Sequence, residues 1–168
     1  MLAGIDSMVL IFSGMVPRKK SAKSEEYEEM KTRSKILLHK LQKETIVLPT
    51  VAIAELLVPV HPDKKGELTA VLSGMFLCHP FDLNAATIAS DLWEHHKTLP
   101  KSLIYSDRHV LKADILIVAS AKSAGATEFY SHDKKCRALA NKVMKACDLP
   151  SRDPDDMFLA GDIRRGEV

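Results

Sequence analysis

The stretch Leu111–Asp133, LKADILIVASAKSAGATEFYSHD, decides how this sequence is read. Ala113, Leu116, Ile117, Ala119, Ser120 and Ala121 place small and apolar residues at helical spacing. Gly125 follows where a helix ends on a left-handed residue, a conformation cheapest for glycine. Thr127, Phe129 and Tyr130 favour a short strand, and Ser131-His132-Asp133 leads out of it. The spacing predicts helix, glycine stop, strand. Two acids punctuate it. Asp114 is expected in the first turn of the helix, and Asp133 where the strand meets the next helix. Each has a plain explanation: dipole compensation for Asp114, N-capping for Asp133.

Working outward, short apolar runs at Leu2–Asp6, Thr45–Leu48 and Phe76–His79 read as further strands. Between them lie predicted helices over Met8–Phe12, Ser24–Leu41, Pro49–Val58, Lys64–Met75 and Asn84–His96. Lys97–His109 reads as a polar connection, and Lys134–Ala146 as a last helix. Strands alternating with helices predict an α/β fold of three layers. Its central, mostly parallel sheet has four or five strands, with helices on both faces. Ligands in such sheets bind beyond the C-terminal ends of the strands. Residues 1–150 are expected to form one domain. The tail, 151–168, packs on it or extends from it, with a short element near Met157–Ala160. The run Pro17–Lys20 reads as an exposed basic arm.

Composition narrows the function classes. The 168 residues carry a net charge of +2, so the whole chain is not a basic nucleic-acid binder, although a local basic face remains open. Aromatic residues are only 5%, which argues against recognition by extensive base stacking. The three cysteines, Cys78, Cys136 and Cys147, have no C-x-x-C spacing and suit reduced thiols. No apolar run approaches a membrane span, and Asp6 interrupts the N-terminal apolar stretch. A cytoplasmic location is expected.

Four acids border or interrupt apolar segments: Asp6 ends the first strand, Glu55 lies inside VAIAELLV, Asp114 sits in the small-residue helix, and Asp133 follows EFY. A carboxylate is costly to desolvate unless it is paired or coordinated. Asp6 could simply end a strand, and Glu55 could lie on a solvated helix face. In order along an α/β chain, however, the four point to one crevice, where they would repel one another unless a cation sat among them. Hard divalent cations take such oxygen ligands, and they suit phosphodiester hydrolysis.

The ordered set resembles the PIN-domain nucleases, and most closely the VapC-type toxins. It comprises Ile5-Asp6-Ser7, Ala54-Glu55-Leu56, the run from Ala113 to Ala121, and Tyr130-Ser131-His132-Asp133-Lys134. The resemblance covers about Leu2 to Ala146. It implies a PIN-like domain whose Asp6, Glu55, Asp114 and Asp133 bind Mg²⁺ or Mn²⁺ and serve catalysis, supported by Ser7 and Ser131. It implies a metal-dependent endoribonuclease in which a metal-activated water attacks the RNA backbone. For the toxin branch it adds an antitoxin partner and self-association, most simply as a dimer. Arg108, Lys112 and Lys134 are candidate phosphate contacts, with ordinary solvated charge as the plainer reading. Two alternatives stay open: a PIN nuclease of RNA processing or decay without an antitoxin, and a catalytically silent PIN-like module that binds RNA or protein.

Overall fold

The structure, a computed structural model, describes residues 1–16 and 24–152. The basic arm and the element expected near Met157–Ala160 lie outside them. Five strands, β1 (Leu2–Ile5), β2 (Thr45–Pro49), β3 (Leu77–His79), β4 (Glu128–Tyr130) and β5 (Lys145–Cys147), form one sheet in the order β3-β2-β1-β4-β5. Every pairing is parallel, so the expected mostly parallel sheet is entirely so. Among the described residues seven helices flank it: α1 (Ser7–Ser13), α2 (Glu25–Lys40), α3 (Thr50–Leu57), α4 (Pro62–Met75), α5 (Leu83–His96), α6 (Arg108–Ser123) and α7 (Lys134–Ala140). The central strand β1 is buried from Ala3 onward, as a strand covered on both faces should be. Ile5, Val47, Leu48 and Phe129 from the sheet, with Leu10, Leu56, Leu92, Ile117 and Leu139 from the helices, are fully buried in one core.

Two glycines bear on the opening stretch. Gly125 has φ +91°, and its N–H donates to the Lys122 carbonyl at 2.9 Å, so the expected glycine stop is present. Gly4 lets α6 press on β1: a Cβ there would lie 2.9 Å from Ala121 Cβ and from Phe129 Cδ2. This close crossing helps lay the acid-bearing helix against the central strand.

Three expectations need correction. The polar connection is not continuous. It holds a 3-10 turn at Lys101–Leu103, and α6 starts at Arg108, with Asp107 accepting from the His109 and Val110 N–H groups. Asp107 is therefore a helix cap. Asp114 lies in the second turn of α6, beyond the free N–H groups that make a first-turn acid favourable. The third correction concerns the last helix, which stops at Ala140. Asn141 follows it, and its side-chain oxygen accepts from the Ala146 N–H at 3.0 Å. The chain then forms β5 on the edge beside β4.

Candidate active site

The sheet brings the four acids to one end. Asp6 follows β1 and Asp133 follows β4, the strand beside it, and the Asp6 N–H donates to the Tyr130 carbonyl at 3.1 Å. Glu55 comes from α3 and Asp114 from α6, two helices in contact with each other. The charges of Asp6, Asp133 and Glu55 all act on Asp114, so the quartet is a spatial group.

Asp6 is only 5% exposed. It stands at the N-cap position of α1, yet makes no side-chain capping bond. Its oxygens are held by hydroxyls instead. Ser131 Oγ donates to Oδ2 at 2.8 Å, and Ser7 Oγ lies 3.2 Å from Oδ1. Ser7 Oγ also lies 2.7 Å from Glu55 Oε2. With one proton to give, Ser7 serves the nearer Glu55 first and links the two acids. Burial pushes Asp6 above the ordinary carboxylate range, and the Ser131 hydroxyl partly opposes it. Burial also raises Glu55, against the Ser7 hydroxyl, and the Asp6 charge adds to the rise.

Asp114 is pushed up to about 7, chiefly by burial. A hydrogen bond from Tyr105 works against that rise, while the charges of Asp6, Asp133 and Glu55 add to it. The Tyr105 hydroxyl donates to Asp114 Oδ2 at 2.6 Å. Tyr105 is itself braced. Its N–H donates to His96 Nε2 at 3.2 Å, the two rings meet edge to face at 5.6 Å, and Lys135 Nζ lies 5.5 Å from the tyrosine ring centre. Burial, with His95 nearby, holds His96 below the usual histidine range, which keeps its accepting nitrogen unprotonated. Nothing in the sequence singles out Tyr105, an isolated aromatic in a polar connection.

Asp133 is exposed, and its Oδ1 accepts from the Lys135 N–H at 2.7 Å, so the capping explanation holds for it in the structure. The capping bond engages one oxygen and leaves Oδ2 free of it. The loop that carries Asp133 is clamped by Arg137. Its Nη1 donates to the carbonyls of Ser131 (2.7 Å) and His132 (2.6 Å) and lies 3.2 Å from Asp148 Oδ1. Arg33 of α2 reaches the same Asp148 at 3.3 Å and donates to the Leu149 and Pro150 carbonyls. His132 faces Asp148 at 3.2 Å. Cys136 is buried beneath the acids. Burial and the charges of Asp114, Asp6 and Asp133 raise its thiol, which stays protonated and adds no charge.

Among the described residues, none of the four acids has an ion-pair partner. Nor do any three His, Cys, Asp or Glu side chains among them converge closely enough to hold a metal ion as they stand. The donor chemistry nonetheless fits a hard divalent cation. The site offers carboxylate oxygens on separate elements, several fixed by hydroxyl donors, with no Lys or Arg ion-paired to them among the described residues. Candidate phosphate contacts Arg108, Lys112 and Lys134 are all exposed. Arg108 lies over the Trp93 ring at 5.5 Å. Among the described residues no helix is long and apolar enough to cross a membrane.

No protein-family model matches this sequence, and no curated protein matches it closely. Solved structures do match by shape. FitAcB from Neisseria gonorrhoeae is 21% identical with a TM-score of 0.53, over 87% of this chain and 96% of that one. VapBC2 from Rickettsia felis, bound to a DNA fragment from their promoter, is 13% identical with a TM-score of 0.57, over 89% of this chain and all of that one. At such identities the likeness concerns the fold: this chain has the PIN-like three-layer α/β fold that its sequence motifs resemble.

Proposed function

We propose that the chain is a metal-dependent endoribonuclease whose Asp6, Glu55, Asp114 and Asp133 hold Mg²⁺ or Mn²⁺. One observation carries the reading. Asp6, Glu55 and Asp114 stand on three different elements, all raised above the carboxylate range by burial, with neighbouring acids adding to the rise of Glu55 and Asp114, and with no ion-pair partner among the described residues. A fold that keeps such an arrangement keeps it for a cation. When bound, the cation lowers the pKa of an attacking water and stabilises charge on the phosphodiester oxygens.

The chain's own residues do the rest. Ser7, Ser131 and Tyr105 each engage a carboxylate oxygen and fix its rotamer, so the remaining oxygens point to a defined place. Arg137 holds the Ser131–Asp133 loop in register. Arg108, Lys112 and Lys134 bind backbone phosphates, contacts that carry affinity and little sequence preference. The fold likeness to FitAcB and VapBC2 supports placing the protein with toxins of toxin–antitoxin pairs, with an antitoxin as its protein partner. Exposed Val71, Met75, Leu77, Phe81 and Leu83, on α4, β3 and the approach to α5, support self-association.

The test is cleavage of RNA by the full chain with Mg²⁺ or Mn²⁺, with EDTA and Asp114→Asn as controls. Metal-dependent cleavage that Asp114→Asn abolishes is expected. Cleavage that survives in a folded Asp114→Asn protein refutes the assignment. Absence of both cleavage and Mn²⁺ binding favours the silent module. Growth arrest on expression, relieved by a co-expressed neighbouring gene, separates the toxin from a nuclease without an antitoxin.

A further inference from the structure

We infer that Tyr105 is a positioning residue for the metal site, acting on Asp114 through its hydroxyl. The inference rests on the metal-site reading above and assigns a part to a residue outside the acidic set. Tyr105 comes from the segment between the 3-10 turn and α6, and reaches nine residues along the chain to Asp114 Oδ2 at 2.6 Å. The bond is short and directed at a carboxylate, the strong kind of side-chain hydrogen bond.

Three contacts show that the tyrosine is set in place. Its N–H is bound to His96 Nε2, its ring meets the His96 ring edge to face, and Lys135 lies over the ring face. The contacts come from two separate helices, α5 and α7. A tyrosine serving only to fill space needs a buried ring; it does not need its hydroxyl on an acid. Among the described residues, the serines hold the carboxylates of Asp6 and Glu55 and the Asp133 carboxylate accepts from the Lys135 N–H, whereas Asp114 is held by the Tyr105 hydroxyl. Tyr105 supplies for Asp114 what the serines supply for Asp6 and Glu55. It engages Oδ2, fixes the carboxylate plane and leaves Oδ1 for a cation.

Groups that orient metal ligands through a hydrogen bond typically contribute 10- to 100-fold to metal affinity. The experiment measures Mn²⁺ affinity of the full chain by titration calorimetry, with parent, Tyr105→Phe and Asp114→Asn proteins. Phenylalanine keeps the ring, and with it the His96 and Lys135 contacts, and removes only the hydroxyl. The expected result is Mn²⁺ affinity about 10- to 100-fold weaker in Tyr105→Phe, with the metal-free melting temperature close to the parent's. Affinity within twofold of the parent overturns the inference while Asp114→Asn still loses binding. If Asp114→Asn also binds as the parent does, or the parent binds no Mn²⁺, the metal-site reading falls as well. Should Tyr105→Phe not fold, His96→Ala and Lys135→Ala slacken the ring from outside. A loss of threefold or more in either supports the inference, and unchanged affinity in both overturns it.

Discussion

Removing the Asp114 charge should make the metal-free protein more stable, increasingly so at higher pH. In the metal-free fold the carboxyl is raised from 3.8 to about 7 by burial, against the Tyr105 hydrogen bond, with Asp6, Asp133 and Glu55 adding to the rise. That span is roughly 3 pH units, each worth about 1.4 kcal/mol, which sets a ceiling of about 4 kcal/mol on the cost of ionising Asp114 in place. Asp114 keeps some contact with water, so screening brings the expected figure to about 1–2 kcal/mol. The sign follows from proton binding. The folded state holds the proton more tightly than the unfolded state, so stability falls as pH rises from about 4 through about 7, and the loss persists above. The amide introduced by Asp114→Asn has no charge to gain, and its carbonyl can still accept from Tyr105. Urea unfolding in EDTA at pH 5 and pH 8 reads the difference. The loss has begun by pH 5, so Asp114→Asn should exceed the parent there by about a third of its pH 8 advantage, and at pH 8 by about 1–2 kcal/mol, while losing cleavage. An equal gap at both pH values, or a less stable variant at pH 8, refutes the reasoning.

Substitutions at three other positions probe the site and the packing beneath it. Ser131→Ala leaves Asp6 Oδ2 and the Asp133 N–H without their partner; it should cost about 1–3 kcal/mol in denaturant unfolding and lower metal-dependent cleavage. Asp133→Asn keeps a good helix cap, whereas Asp133→Ala costs about 1 kcal/mol, so near-parental stability with lost cleavage in Asp133→Asn assigns the acid to the chemistry, and parental cleavage reduces it to a cap. Gly4→Ala drives a methyl to 2.9 Å from Ala121 and Phe129, and a loss of about 1–3 kcal/mol, read as a lower melting temperature, is expected.

Much of the fold is legible in the sequence because the signals are local. Apolar runs mark four strands, and Ser24, at the start of the predicted helix, caps α2 by accepting from the Tyr27 N–H. Gly125 ends α6 where glycine is cheapest. The failures have equally local causes. β5 is three residues, Lys145–Cys147, too short to show a period, and the apolar residues before it continue a helical pattern. Its strand state comes from pairing with β4, a contact no local window contains. The start of α6 is hidden because Arg108, His109 and Val110 lack an apolar stripe, which makes Asp114 look like a first-turn acid. At the site, the acids are legible from their apolar flanks. Tyr105 and Arg137 are not, because each acts on a partner that only the fold brings near. Asp133 is the case where the bland reading and the sharp one are compatible, one oxygen capping α7 and the other free of the cap.

The Ser131–Asp6 hydrogen bond joins residues 125 positions apart. During synthesis, Asp6 and Glu55 are made early, but the hydroxyl that orients Asp6 follows only after β4, and the Asp148 that braces Arg137 follows β5. A chain halted before Ser131 has three of the acids but lacks the hydroxyl on Asp6 Oδ2, leaving only the longer Ser7 contact to orient it. Full order at this site therefore arrives only with the last two strands of the sheet, so, on the reading proposed above, a nascent chain gains cleavage late in the synthesis of this domain.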